Sequence, residues 1–182
     1  IELLGYKIRR LISDRKENNI IEYSTIKDGP KKWLMLDIDN FTKPKDLILN
    51  LNTHRELAVE AFIKTLHESF HNVSYICQFS NGMFLNSKKI KAHLWFMLSE
   101  GYDCKTLKPW FEKYCEGVDK CVFRPAQILY TSNPVFVNTN DPLGKHRIYL
   151  KEKDLLEVNL PKKSVIKEYL NLEVNKGIKS ES

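Results

Sequence analysis

The spacing of apolar and polar positions changes several times along the chain, and each change marks a candidate element. Trp33-Leu34-Met35-Leu36-Asp37-Ile38 is a short apolar run after the turn signal Lys27-Asp28-Gly29-Pro30, and it reads as a buried strand. Asn40-Phe41-Thr42-Lys43-Pro44 is expected to break it. Over residues 53–70 the period lengthens. Leu57, Phe62, Leu66 and Phe70 recur at near-helical spacing, with Ala58 and Ala61 beside them, and Thr53 with Glu56 offers a capping box. Two strands come next, at Val73–Phe79 and Ile90–Leu98, with the turn Ser80-Asn81-Gly82 between them. Residues 105–116 predict a second helix around Leu107, Trp110, Phe111 and Tyr114, with Pro109 near its first turn. Gln127–Tyr130 and Ile148–Leu150 read as further strands. Residues 6–16 fit a short basic helix or a strand, and the chain from Ser164 onward fits a short helix that runs into a linker-like end.

Strands alternate with helices, yet some neighbouring strands are joined too tightly for a crossover helix. The expected class is therefore α+β with a mixed or antiparallel sheet. The 182 residues suit one domain over 1–163, with 164–182 as a helical or linker tail. No apolar run approaches the roughly 20 residues needed to cross a bilayer, and Ile1-Glu2-Leu3-Leu4-Gly5 is too short and too acidic for a signal peptide. Without an initiator Met, the start reads as that of an excised domain or a processed chain. Cys77, Cys104, Cys115 and Cys121 form no Cys-x-x-Cys pair, so a zinc knuckle is poorly supported. Reduced thiols in the cytoplasm are expected, with Cys77 as a small core residue. The net charge of +6 favours a polyanionic partner, although many basic surfaces are merely solvated.

Three segments carry candidate chemistry. Asp37 and Asp39 stand at i and i+2, so on a strand both project from one face, about 7 Å apart along the backbone. Two such carboxylates repel unless a cation lies between them, and oxygen ligands suit Mg²⁺ or Mn²⁺. The plainer reading makes them solvated turn formers. Lys91 and His93 share a face of the next apolar strand, with Trp95 behind them. A triphosphate would satisfy both, although a lone His is more often a satisfied core residue. Asp119 follows the second helix, and Arg124 and Gln127 come shortly after it, in what is otherwise a surface turn with an ordinary ion pair.

In order and spacing, these segments resemble the archaeo-eukaryotic primase superfamily, and more narrowly the primase-polymerases of plasmids, phages and other mobile elements. Leu34-Met35-Leu36-Asp37-Ile38-Asp39 is similar to the family's apolar strand ending in Asp-x-Asp. Lys91-Ala92-His93 is similar to its second motif, with Lys91 where many members have Ser, and Ser80-Asn81-Gly82 stands upstream as a Ser-x-Gly turn often does. Val118-Asp119 is similar to its third. Gln127-x-x-Tyr130-x-x-x-Pro134-x-Phe136 and Asp141-Pro142-x-x-x-x-Arg147 resemble the stretch downstream of the third motif in plasmid-type members.

The resemblance spans residues 33–150. It implies an RRM-like sheet packed against a smaller α/β unit. It implies that Asp37, Asp39 and Asp119 hold two divalent metal ions, and that His93 with Lys91 and Ser80 grips an incoming nucleoside triphosphate, NTP or dNTP. Arg124 would add a phosphate or template contact, with Gln127, His146 and Arg147 as weaker candidates. Single-stranded DNA is the implied template, and a helicase domain or protein a further partner, in the cytoplasm of the cell or of a phage or plasmid host.

Three other classes fit the residues. A non-catalytic RRM-like module would bind single strands through Trp95, Phe96 and Tyr130. A replication-initiator endonuclease would use a Tyr nucleophile and a His-bound metal, although the five His residues are scattered; a nuclease using the same carboxylates would need no triphosphate.

Overall fold

The computed structural model describes residues 2–3, 6–7, 10–42, 54–84 and 89–168. Strands β1 (Glu2–Leu3) and β2 (Tyr6–Lys7) form one antiparallel ladder, and β3 (Arg15–Glu17) and β4 (Ile20–Glu22) another. The β3–β4 hairpin turns on Asn18 and Asn19, both at positive φ (49° and 62°). Two consecutive left-handed residues match the right-handed strand twist, and Asn tolerates them. Among its described residues, the stretch 6–16 therefore holds parts of two strands and no helix. Lys27–Pro30 leads irregularly into the next strand and makes no hydrogen-bonded turn.

The principal sheet contains β5 (Lys31–Thr42), β6 (Tyr75–Phe79), β7 (Lys89–Tyr102) and β8 (Ile148–Lys151), in the order β5-β7-β6-β8 with every neighbour antiparallel. A two-residue strand, β9 (Glu157–Val158), runs parallel to β7 at Met97 and Leu98. Helix α1 (Arg55–Ile63) separates β5 from β6, and α2 (Cys104–Tyr114) separates β7 from β8. The chain is thus α+β. Its β-α-β-β-α-β order makes two interleaved split β-α-β units, with β7 between β5 and β6, and β6 between β7 and β8. Among the described residues before β5 there is no helix, so residues 10–30 do not form a second α/β unit.

Strict alternation sorts the sheet into two faces. Leu34, Leu36 and Ile38 of β5 and Ile90, Ala92, Leu94, Phe96 and Leu98 of β7 are buried on one face. There they share a core with Ala58, Val59, Phe62 and Ile63 of α1 and Leu107, Trp110 and Phe111 of α2. Phe70 is its aromatic hub, edge-on to Phe96 at 5.2 Å and to Phe111 at 5.8 Å. Glu60 of α1 accepts a hydrogen bond from the Tyr75 hydroxyl (2.7 Å) and pairs with Lys153, tying helix to sheet. Among the described residues, no helix covers the opposite face in the same way.

Several expected boundaries move. β5 and β7 extend beyond the apolar runs, because ladder hydrogen bonds continue wherever a partner strand lies alongside; β5 runs through Asn40–Thr42 where a break was expected. The helix expected over 53–70 is only Arg55–Ile63. Its N-cap is His54, which makes no side-chain cap bond; Thr53 lies outside the described residues. Leu57, expected in the core, is 54% exposed. Leu66 and Phe70 are buried from non-helical backbone, Phe70 at the end of a 3₁₀ turn capped by His67. α2 begins earlier than expected, under an Asp103 cap (Oδ1 to Thr106 N, 2.7 Å), so Pro109 falls inside the helix, past its first turn. Gln127–Tyr130 is not a strand: it has no ladder partner among the described residues. Residues 163–168 are helical and Ile166 is buried, so the tail joins the core at least to there; 169–182 lie outside the described residues. Among the described residues no helix is long and apolar enough to cross a membrane.

Candidate active site

The open face of the sheet carries the polar residues that alternate with the core. β5 presents Asp37 and Asp39, β7 presents Lys91, His93 and Trp95, and β6 presents Gln78. Ladder register places Asp37 directly across from His93, and His93 across from Gln78. His93 Nε2 lies 3.6 Å from Asp37 Oδ1, and Lys91 Nζ lies 2.9 Å from Asp39 Oδ1.

A bulge ends this array. Ile38 pairs with Ala92 but Phe41 pairs with Ile90, so β5 carries one extra residue after Asp39. Without it Phe41 would share the open face with the two Asp residues. With it Phe41 turns inward, its ring 5.1 Å from that of Phe62. The extra residue thus returns β5 to the core immediately after the second carboxylate.

Asp119 arrives from a distant segment. Val118 forms an isolated antiparallel bridge with Ile38, and Asp119 N donates to Asp37 O at 2.9 Å. The approach depends on Gly117 at φ +82°, where a Cβ would come within 3.3 Å of Phe62. Asp119 then caps a 3₁₀ turn, Lys120–Phe123, accepting from Cys121 N at 2.8 Å. Phe123 anchors that turn against Phe111 at 4.8 Å, and Lys120 Nζ donates to Phe111 O and Cys115 O at the end of α2.

Asp37, Asp39 and Asp119, with Lys91, His93 and Ser80, line one cavity of about 620 Å³, within the range of small-ligand sites. The Asp37 carboxyl is pushed above the usual carboxylate range, first by burial and then by the negative charges of Asp39 and Asp119; His93 and Lys91 oppose the shift. Among the described residues, no three His, Cys, Asp or Glu side chains are already arranged to hold a metal ion. Asp39 is held by Lys91, and one Asp119 oxygen accepts from the backbone. The donor set is nonetheless oxygen-rich and short of positive charge at Asp37, which suits a hard divalent cation.

Ser80 sits on a turn held from behind. Arg147 is 1% exposed, pairs with Asp141 through Nε (2.6 Å) and Nη2, and donates through Nη1 to Phe79 O and Ser80 O. It supports the turn and does not line the cavity. In front, Gly82 leaves room for the Lys91 stem, whose Cδ would lie 3.0 Å from an added Cβ. Gln127 lines the cavity, whereas Arg124 is exposed beside a neighbouring cavity of about 230 Å³, and His146 is exposed away from both.

Several lining residues were not among the sequence candidates, Gln78, Cys121, Ser132 and Asn133 among them. For Gln78 a signal existed, a polar residue inside the apolar run 73–79. Asn133 comes from the irregular 127–135 segment, which crosses the open face and is fastened by Gln78 Nε2 to Thr131 O (2.7 Å) and Asn133 Oδ1 (3.3 Å). Of the expected stacking residues, Phe96 is 1% exposed and faces the core, while Tyr130 is 79% exposed at the cavity mouth. Comparison of the chain with protein-family models, with curated proteins and with solved structures finds no match.

Proposed function

We propose that this chain is a metal-dependent nucleotidyltransferase domain of the primase or primase-polymerase type, which makes or extends primers on single-stranded DNA. The observation that carries the reading is the meeting of three remote segments at one cavity: Asp37 and Asp39 from β5, Asp119 from the turn after α2, and Lys91 with His93 from β7. The β-α-β-β-α-β element order and the open, polar sheet face are what an RRM-like fold shares with this chain; its last strand differs, since β8 lies beside β6 and not beside β5.

In this reading Asp37, Asp39 and Asp119 hold two divalent ions, Mg²⁺ or Mn²⁺, which when bound lower the pKa of an attacking hydroxyl and neutralise charge on the transferred phosphate. The chain's own groups bind and orient. Lys91 is a point charge at the cavity rim, now on Asp39, within reach of a polyphosphate. His93, walled by Trp95 at 5.7 Å, turns Nε2 towards the space a phosphate would occupy. The Ser80 hydroxyl and the 80–82 turn close the far side, kept in place by Arg147. Fixed donors of this kind need little reorganisation when charge develops.

The test is primer synthesis and primer extension on single-stranded DNA with Mg²⁺ or Mn²⁺ and labelled ribo- and deoxyribonucleotides. Product in the parent should disappear in Asp37→Ala/Asp39→Ala and fall sharply in His93→Ala, with circular dichroism unchanged. A folded parent that makes no product with either metal sinks the reading.

A second reading has its own observation. Beyond Trp95 the open face is apolar, a groove of about 760 Å³ lined by Trp33, Ile76, Trp95, Met97, Ile148 and Leu150. Indole faces beside a basic chain suit base stacking in a non-catalytic single-strand binder. That reading predicts single-strand binding that survives loss of Asp37 and Asp39.

A further inference from the structure

Asp37, His93 and Gln78 form one row across three strands. The first two are accounted for above; Gln78 is not. It is 5% exposed, and its two ends are in different situations. Nε2 donates to Thr131 O and Asn133 Oδ1. A backbone carbonyl can only accept, so the amide end must face the 131–133 segment, and Oε1 is directed away from it. Oε1 is buried and has no partner.

The other unpaired group on this row is His93 Nδ1, likewise buried. Directly opposed residues on neighbouring antiparallel strands have Cβ atoms about 5 Å apart, and both side chains lie on the open face. One is an acceptor without a donor; the other is a ring nitrogen able to carry a proton. Trp95 meets the His93 ring edge to face, at 5.7 Å and 90°, and limits how the ring can turn. Its Nε2 already points towards Asp37 and the cavity.

We propose that Gln78 is a positioning residue for His93: a small side-chain rotation brings its Oε1, unpaired here, onto the likewise unpaired Nδ1–H of the imidazole and so holds Nε2 aimed into the cavity. Gln78 thereby joins two parts of the site. One end fastens the 131–133 segment that walls the cavity, and the other orients the ring that reaches a ligand within it. The consequence for nucleotide rests on the reading of the cavity as a triphosphate site; the hydrogen bond itself does not. Orienting partners of this kind are worth roughly 10–100-fold in the affinity or activity of the group they hold.

The experiment uses the full chain, isotope-labelled, and histidine side-chain nitrogen–proton correlation spectra, with His93 assigned by its loss in His93→Asn. The parent should show a solvent-protected proton on His93 Nδ1. Gln78→Met, close in shape but without the acceptor, should lose that protection. Gln78→Glu, which sets a carboxylate oxygen in place of the amide acceptor, should retain it, and so should Asn133→Ala, which cuts only a fastening of the wall. Nucleotide binding should weaken about 10-fold in Gln78→Met, with KM rising more than kcat falls. An unprotected or unprotonated Nδ1 in the parent overturns the proposal and needs no variant to fold. Protection that persists in folded Gln78→Met overturns it as well. If the parent binds no triphosphate yet its Nδ1–H depends on Gln78, the triphosphate reading fails and the positioning role stands.

Discussion

The charge of Asp37 is poorly balanced by the chain alone. Burial and two neighbouring carboxylates push its carboxyl upward, and His93 and Lys91 only partly answer them. A carboxyl whose folded pKa exceeds its unfolded value adds stability that is complete below about pH 4 and is lost as pH rises through the folded value. At neutral pH the ionised group therefore works against folding. Asp37→Asn should raise the Tm at pH 7 by a few degrees and flatten the pH dependence above pH 4, while abolishing nucleotidyl transfer. Calorimetry at pH 5 and pH 7 checks this; a lower Tm in the variant would show that crowding is not what sets Asp37. Asp141 is the opposite case. Arg147 holds its carboxyl down to about 2, so the stabilisation it provides is present above about pH 4 and fades as pH falls through 2.

Irregular backbone places the chemistry at the scale of elements. The bulge after Asp39 turns Phe41 inward, and the left-handed Gly117 swings the chain from the end of α2 onto the edge of β5. Any other residue at φ +82° is strained by about 1–2 kcal/mol, and here its Cβ would also crowd Phe62. Gly117→Ala should lower stability in urea by at least that much. Because Asp119 lies two residues on, the variant should also respond less to divalent ions. Stability lost with the ion response intact would mean that Gly117 serves packing alone.

Over the whole molecule, the sheet divides labour between its faces. One carries both helices and the core; the other is ionic towards Asp39 and apolar towards Met97. An ion that binds only the folded chain raises its stability by RT ln(1 + [L]/Kd), about 2.7 kcal/mol at a hundredfold excess over Kd. Mn²⁺ or Mg²⁺ should therefore raise the Tm of the parent and leave Asp37→Ala/Asp39→Ala unmoved. Thermal melts across an ion titration read this without substrate or template. An equal shift in both proteins would place the ion elsewhere.

Period-two alternation in β5 and β7 was legible because it comes from strand geometry alone, and it put Asp37 with Asp39 and Lys91 with His93 on shared faces. Cys77 on its strand and Leu107, Trp110 and Phe111 of α2 were legible as core from local periodicity, whereas Tyr114, on the same expected stripe, is 37% exposed. The ends of β5 and β7 were not, since a ladder runs as far as its partner does. Nor was the irregular course of 127–135, which a side chain from another strand fastens. Its place after Asp141 groups Arg147 with ligand contacts; burial and the carbonyls of Phe79 and Ser80 give it a supporting role instead. The sequence by itself determined which residues share a face, because that depends on neighbours two or four positions away. Only the tertiary structure decided that Asp119 reaches Asp37 and that Gln78 lies beside His93, because each depends on which distant segment packs alongside.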